Sequence, residues 1–257
     1  MTRPKLTVCV VAMDEERKIA DCLRSADVAD EWVVVDSHST DRTREIAASF
    51  GARVVERDWP GHVAQKNHAL SLATHDWVLC LDADERVSPE LRASILAALG
   101  RSDLPDGFAF ARRTWYLGRW IRHGGWYPDR KLRLARRAAA GWTGTDPHDR
   151  LEVSGRVETL AGDLLHLSYD SISDHLRTID RFTTIAAREK RAAGGRAGFA
   201  GLVLHPFGKF LRMYVLKAGF LDGFPGFAVA LSGAYYVFLK YAKLWEMDHA
   251  AERPRDA

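Results

Sequence analysis

The sequence predicts an α/β fold: a parallel sheet with helices on both faces, followed by a helical C-terminal region. Three observations carry this. Short apolar runs alternate with stretches of helical spacing through the first hundred residues, the order that builds a parallel sheet with helices on its faces. The links between these runs are short. From Phe199 to Trp245 the chain is at its most apolar, and there the apolar residues recur with helical periodicity.

Leu6–Met13 is an unbroken apolar run and reads as a buried strand. In Glu15–Ser25, Ile19, Cys22 and Leu23 recur at helical spacing, and Ala26 continues the series. Trp32–Val35 predicts a second strand, ending at Asp36 in a Ser/Thr-rich turn. Asp41–Phe50 reads as a helix stopped by Gly51, and Arg53–Val55 as a short strand. His62–Ala73 is helical, Trp77–Leu81 a strand, and Pro89–Leu99 a helix with Ser88 as its cap and Gly100 behind it. Beyond residue 105 the pattern changes. Phe108–Phe110 reads as a strand, Trp115–Leu134 mixes aromatics, glycines and arginines, and Gly141–Pro147 reads as a loop. Leu151–Val157 and Leu160–Leu167 are short strands, Ser173–Ala192 is a helix, and Gly194–Gly198 is a hinge-like break. Phe207, Phe210, Leu211, Tyr214, Val215 and Ala218 form a helical stripe. Gly223–Leu239 carries no charge; as a helix it would be roughly 26 Å long, short of the roughly 30 Å hydrocarbon core of a bilayer.

The chain has 257 residues, and Lys+Arg 37 against Asp+Glu 34 leaves a net charge of +3. With 47% hydrophobic and 28% charged residues it is neither a disordered, a collagen-like nor a many-span membrane chain. Cys9, Cys22 and Cys80 are too few and too scattered for a disulfide framework or a zinc cluster, so they are expected to be reduced core residues. The first apolar run leads straight into Asp14-Glu15-Glu16, so no signal peptide is expected. The charge is unevenly spread. Residues 112–137 hold nine Lys/Arg against the single acid Asp129, and residues 188–257 hold eleven basic and six acidic side chains. Such excesses suggest phosphate groups or an anionic surface as partners.

A sheet of this kind binds ligands beyond the carboxyl ends of its strands. Three such ends carry carboxylates: Met13-Asp14-Glu15, Asp36-Ser37-His38-Ser39 and Asp82-Ala83-Asp84-Glu85. Asp and Ser are also ordinary turn and cap residues, but three acidic strand ends together favour a site. The sharpest is Asp82-Ala83-Asp84, where strand alternation can turn both carboxylates the same way. Hard oxygen ligands suit Mg²⁺ or Mn²⁺ completed by substrate phosphates.

The order Val10-Val11-Ala12-Met13-Asp14-Glu15-Glu16, then Val34-Val35-Asp36-Ser37-His38-Ser39-Thr40-Asp41-Arg42-Thr43, then Lys66-Asn67 and Asp82-Ala83-Asp84-Glu85 resembles family 2 glycosyltransferases of the GT-A fold. Gly125–Leu134, Pro147-His148-Asp149 and Gly219–Gly223 further resemble the bacterial lipopolysaccharide inner-core β-glucosyltransferases. The resemblance implies a GT-A type, mixed, mostly parallel nucleotide-binding sheet flanked by helices and an inverting, metal-dependent transfer of one sugar, glucose from UDP-glucose, to a lipopolysaccharide core or related glycolipid. It implies that Asp36 holds the nucleoside and that Glu15 lies in the nucleotide-sugar site. Lys66 would face the diphosphate, though a solvated helix lysine reads equally well. Asp82 would contact the ribose or a metal-bound water, and Asp84 a divalent metal, Mg²⁺ or Mn²⁺. Where the family often has an aromatic and Asn before that Glu, this chain has Met13 and Asp14.

An inverting transfer needs a base for the acceptor hydroxyl. The resemblance implies Asp149, which follows His148; Asp146 and Asp129 compete. Trp126, Tyr127 and Arg130 suit a phosphorylated sugar acceptor, through aromatic faces on sugar rings and a guanidinium fork on phosphate. No nucleic-acid motif is present. The Gln-x-x-Arg-Trp motif of processive synthases is absent, so single-sugar transfer is expected. The divisions expected are 1–104 for the nucleotide-sugar half, 105–192 for the acceptor part of the same domain, and 193–257 for a helical membrane-associating region. Lys209, Arg212 and Lys217 beside apolar and aromatic residues fit attachment to the cytoplasmic face of the inner membrane rather than a span. Two other readings stand beside this one. A sugar-phosphate nucleotidyltransferase would need a Gly-rich basic loop where the acidic Asp14-Glu15-Glu16 lies, and a non-catalytic membrane-surface scaffold would have little use for Asp36, Asp82 and Asp84.

Overall fold

Val8, Val10 and Ala12 turn to one side of the first strand and Cys9 to the other, and all four are buried. That is the signature of a strand covered on both faces, as parallel sheets require. The structure, a computed structural model, describes residues 3–145 and 148–249. The strand is β1 (Leu6–Ala12). Parallel to it run β2 (Glu31–Asp36), β3 (Arg53–Glu56) and β4 (Trp77–Asp82). The connecting helices are α1 (Ile19–Ser25), α2 (Thr43–Ser49) and α3 (His62–Leu72), and α4 (Pro89–Leu99) follows the short β5 (Glu85–Val87). Helices α1 and α4 cover the Val8/Val10 face, with Ile19, Leu23, Leu91 and Ile95 in its core. Helix α3 covers the Cys9 face with Ala69 and Leu70.

The remaining strands are β6 (Gly107–Tyr116), β7 (Arg119–Trp120), β8 (Asp129–Arg136), β9 (Ala140–Thr145), β10 (His148–Val153) and β11 (Val157–His166). The sheet order is β3-β2-β1-β4-β8-β6-β11-β5, with β7 paired to β6, and β9 and β10 form a separate two-stranded ribbon. The four parallel strands are thus extended by antiparallel pairings at β4–β8, β8–β6 and β11–β5. The mixed, mostly parallel architecture expected from the sequence is the one found in its first hundred residues.

Several local expectations change. Helix α1 starts at Ile19, not Glu15. Asp14 takes a left-handed conformation, φ 53°, and the backbone N–H groups of Asp14, Glu15 and Glu16 donate to Ser39, Thr43 and Asp41, which holds this stretch as a turn. Helix α2 starts at Thr43, with Arg42 at its N-cap position, and just before it the Asp41 carboxylate accepts from the Thr43 N–H at 2.9 Å. Gly141–Pro147 is not a loop as far as Thr145: it is β9, paired antiparallel to β10, with buried Trp142 opposite Leu151. Its glycines hide the strand pattern. Asp146 and Pro147 lie outside the described residues. Strand β10 begins at His148 and ends at Val153, earlier than the apolar residues alone suggest.

The chain divides into two compact units, neither continuous in sequence. The first comprises residues up to 113 and 129–167; the second comprises 114–128 and the residues from 168 onward. In the first, Gly162 on β11 has φ +91°, and a Cβ there would collide with the backbone N and Cα of Leu91 at the start of α4. Gly162→Ala is therefore expected to cost about 2–4 kcal/mol, from the left-handed backbone and the clash together. Urea unfolding should show the midpoint fall at constant slope; an unchanged midpoint would mean that α4 gives way at no cost.

The second unit contains α5 (Ile172–Ala192), α6 (His205–Leu211) between π-helical turns at Ala200–Leu204 and Arg212–Leu216, a 3₁₀ turn at Gly219–Asp222, and α7 (Gly223–His249). Its core is Tyr116, Ile121, Met213, Val229 and Ala230. Asp222 is 1% exposed and accepts from the backbone N–H groups of Arg122 and His123 at 2.9 and 2.7 Å, which ties the Gly219–Gly223 motif to the 119–125 loop. The single stripe expected over 207–218 is split: Phe207, Leu211 and Val215 are exposed, while Phe210 and Tyr214 pack on Phe227. The π-helical turns shift the helical phase. Among the described residues no single helix is long and apolar enough to cross a membrane; Ala200–Leu216 and Gly219–His249 pass that test only as a pair, bent by 70°.

Candidate functional site

The carboxyl ends of β2 and β4 flank β1, with Asp36 in register with Ala12 and Asp82 with Val11. Two of the acidic strand ends therefore lie either side of the central strand. At the β2 end Asp36 is fully buried. It accepts hydrogen bonds from the Ser39 N–H at 2.8 Å and from the Ser39 hydroxyl, with Arg44 Nε 3.8 Å away. The carboxylate thus shapes its own turn, in which His38 takes φ 57°. A carboxylate has about four lone-pair sites, so two Ser39 bonds do not exhaust it. Glu15 lies beside this turn, its carboxylate 3.8 Å from Lys18 Nζ. Its backbone oxygen accepts from the Lys18 and Ile19 N–H groups at the start of α1. Met13 stands 56% exposed at the end of β1.

At the β4 end the alternation expected for Asp82 and Asp84 does not apply. The strand stops at Asp82, and Ala83-Asp84 turn into β5, so the two carboxylates meet different partners. Asp82 receives Lys66 Nζ at 2.7 Å and Arg133 at 2.8 Å. Burial alone would raise the Asp82 carboxyl, but the Lys66 and Arg133 charges hold it well below the usual carboxylate range. Asp84 faces His166 Nε2 at 3.3 Å, and burial, which would raise it, is outweighed by that imidazole. The β11–β5 pairing positions His166 by placing it opposite Glu85.

Lys66 is 7% exposed on α3, so it is not a solvated helix lysine. Its ammonium donates to Asp149 Oδ2 at 2.8 Å as well as meeting Asp82, and it lies 4.5 Å from the centre of the Trp142 ring. Burial disfavours the charged amine, yet the two carboxylates raise its pKa overall, and it stays an ammonium. Asp149 arrives on the β9–β10 ribbon, opposite Gly144, which has φ +103°. A Cβ on Gly144 would collide with the His148 carbonyl. Asn67 fastens the ribbon to α3: its amide donates to the Trp142 carbonyl at 2.8 Å and accepts from the Trp142 N–H at 2.9 Å. The Lys66-Asn67 pair thus has two tasks, one electrostatic and one mechanical.

From Asp149 a chain of alternating charge runs through Lys66, Asp82, Arg133, Glu85 and Arg112 to Asp129. Every link is 3.3 Å or shorter, and Glu85 is fully buried. A buried charge needs such pairing, since desolvation is otherwise prohibitive. Arg112, Arg133, Glu85, His166 and Trp142 are the members that residue-by-residue reading did not single out. The two arginines lie in the basic 112–137 stretch, but apart from Asp129 their partners, Asp82 and Glu85, come from strands far away in sequence.

The remaining expected residues do not all gather at this point. Asp129 is held by Arg112 at 2.8 Å and Lys131 at 3.1 Å. Arg130 is exposed on β8 of the first unit. Trp126 and Tyr127 belong to the second unit, where Trp126 packs with Tyr116, Tyr169 and His175.

A divalent cation is chemically compatible with the β4 end. Among the described residues no group of three or more His, Cys, Asp or Glu side chains is placed to hold a metal. Asp84 and His166 offer two ligands close together, and Mg²⁺-like ions commonly take one or two protein ligands and fill their shell with water and substrate phosphate. Asp82 is committed to Lys66 and Arg133.

Comparison with known proteins bears on the family and the fold. The glycosyl transferase family 2 profile matches residues 7–150. The lipopolysaccharide core biosynthesis glycosyltransferase LpsC of Rhizobium meliloti (strain 1021) is 30% identical over 97% of this chain and 95% of its own length. An uncharacterized glycosyltransferase of Rickettsia typhi is 28% identical over 95% of this chain and 87% of its own. The crystal structure of S. aureus TarS 1-349 in complex with UDP superposes with a TM-score of 0.50 at 16% identity, covering 98% of this chain and 93% of that one. The fold is GT-A, and the chain belongs to glycosyl transferase family 2.

Proposed function

We propose that this enzyme is an inverting, metal-dependent glycosyltransferase that moves a single sugar, glucose from UDP-glucose, onto a lipopolysaccharide core or related glycolipid at the cytoplasmic face of the inner membrane. The observation that carries the reading is Lys66, which bridges Asp82 of the strand-end motif and Asp149 of the ribbon at 2.7 and 2.8 Å. A nucleotide-sugar carboxylate and a candidate base are thereby joined through one cation. The lipopolysaccharide acceptor is supported by the likeness to LpsC, a lipopolysaccharide core biosynthesis glycosyltransferase.

In this reading Asp36 takes a nucleoside hydroxyl or N–H on the lone pairs that Ser39 leaves, and Glu15 borders the same pocket. Lys66 has three N–H donors; two serve Asp82 and Asp149, and the third is available to a diphosphate oxygen. Asp84, with His166, would hold a divalent cation, which would supply positive charge to offset that on the departing UDP. Asp149 accepts the proton of the acceptor hydroxyl as that oxygen attacks the anomeric carbon opposite the leaving group, so one displacement inverts the centre. Arg130, exposed on β8, takes a phosphate of the acceptor. The exposed apolar side chains and free cations of the second unit attach the enzyme to the bilayer surface.

The test is incubation with a panel of labelled nucleotide sugars and lipopolysaccharide core acceptors. Transfer from UDP-glucose, with inversion seen by NMR of the product, is the expected result. Retention of configuration, or transfer only from another donor, would overturn the corresponding part.

A further inference from the structure

The two basic stretches of the sequence fare differently in the folded chain. In 112–137, Arg112, Arg113, Arg119, Lys131, Arg133 and Arg136 all lie within 4 Å of carboxylates. In the second unit Lys243 is held by Asp180 and Arg191 by Asp248. Lys209, Arg212 and Lys217 instead line one cavity of about 390 Å³. No carboxylate lines it, and among the described residues no ion pair engages these three cations.

The cavity wall includes Trp126, Tyr169 and His175, with Tyr169 and His175 stacked at 4.3 Å between ring centres. His175 is 4% exposed, and its Nδ1 lies 2.8 Å from the Tyr116 hydroxyl. Burial pushes it down to about 4, so it is neutral at physiological pH and the cavity's positive charge comes from the three cations. They crowd one another: burial, then Arg212 and Lys217, lower the Lys209 pKa. Like charges gathered without a counter-charge are relieved by an anion. Elsewhere on the same unit Phe207, Leu211 and Val215, on the helical segment that carries Lys209 and Arg212, and Leu231 on α7 stand exposed, and none of them lines the cavity. The unit that holds the cavity thus also exposes apolar side chains suited to a bilayer surface, which favours a phosphate carried on a membrane lipid over free phosphate.

We propose that this cavity binds the phosphate-bearing headgroup of an anionic membrane lipid, with Lys209, Arg212 and Lys217 on the phosphate and the aromatic wall against the headgroup. The proposal rests on the membrane-attachment part of the proposed function and adds to it a defined lipid site. It is independent of the sugar-transfer chemistry.

The experiment titrates the full chain with water-soluble dihexanoyl phosphatidylglycerol, dihexanoyl phosphatidylcholine or inorganic phosphate, reading tryptophan emission. Phosphatidylglycerol is expected to saturate, with a signal that Trp126→Phe removes. The triple variant K209Q/R212Q/K217Q should bind it on the order of a hundredfold more weakly, at about fivefold per cation. R177Q/K190Q/R196Q, which removes as much charge from the same unit outside the cavity, should bind like the parent. Matching thermal unfolding of the two variants shows that folding is not the cause. Equal binding of phosphatidylcholine, equal losses in both triple variants, or inorganic phosphate binding as tightly as the lipid would each overturn the proposal. Flotation on phosphatidylglycerol vesicles separates the two readings. If the parent and K209Q/R212Q/K217Q float equally, attachment stands and the site falls. If the parent does not float yet takes up the short-chain lipid, attachment falls and the site stands.

Discussion

Replacing Asp149 with asparagine is expected to lower turnover by roughly 10²- to 10⁴-fold, the range of a positioned general base, while UDP still binds. That is about 3–5 kcal/mol of barrier. The amide keeps the shape of the side chain but cannot accept the proton. The fold should tolerate the change, because Lys66 keeps Asp82 as its counter-charge at 2.7 Å and is not left buried and unpaired. Asn67 still fastens the ribbon to α3. Steady-state rates with calorimetric UDP titration separate the two effects. A fall of less than about tenfold, or about 1.4 kcal/mol, would take the base role from Asp149. Asp129 would be a poor replacement, being held by both Arg112 and Lys131.

Asp84→Ala is the second change with a large expected effect: loss of transfer and loss of any strengthening of UDP binding by Mn²⁺. The sign of the binding change is diagnostic. If Asp84 held no cation, deleting a carboxylate beside a diphosphate site would relieve repulsion and tighten UDP. If it holds one, UDP binding in Mn²⁺ weakens. Calorimetry with and without Mn²⁺ reads this directly, apart from turnover. Equal Mn²⁺ enhancement in the variant, or full parent activity in excess chelator, would remove the metal role. The chain loses its ion pair with His166 at 3.3 Å, so an unfolding curve accompanies the titration.

Much of the first unit was legible in the amino-acid order because its signals are local. Pro89–Leu99 is helical within the bounds set by its Ser88 cap and the following Gly100, and the Ser88 hydroxyl accepts from the Leu91 N–H as such caps do. The apolar runs of β1, β2 and β4 are strands because a two-sided core needs residues apolar on both faces. The acidic strand ends Asp36 and Asp82 follow from the same reading, since a parallel sheet places strand ends at one edge.

Local pattern could not decide where the chain doubles back. Gly141–Thr145 has the composition of a loop and becomes a strand because β10 pairs with it and Trp142 finds the core. The turn at Asp14 is held by side chains from the next loop, more than twenty residues on, so the helical spacing of Glu15–Ser25 overstates α1. Strand alternation gave Asp82 and Asp84 a common direction; the turn at Ala83 gives them different partners instead.

By itself, the amino-acid order determined the α/β class, the helices with capped ends, the three acidic strand ends and the family resemblance. All of these rest on residues within a few positions of one another. The tertiary structure alone decided which charges meet. Lys66 and Asp149 lie 83 positions apart and are joined by a 2.8 Å bond, and the basic stretch at 112–137 is largely neutralised by acids from other strands. Sequence order counts charges, but whether a cation is paired or free depends on which strand ends the fold brings within 4 Å, because Coulomb attraction and desolvation depend on distance and burial rather than on position along the chain.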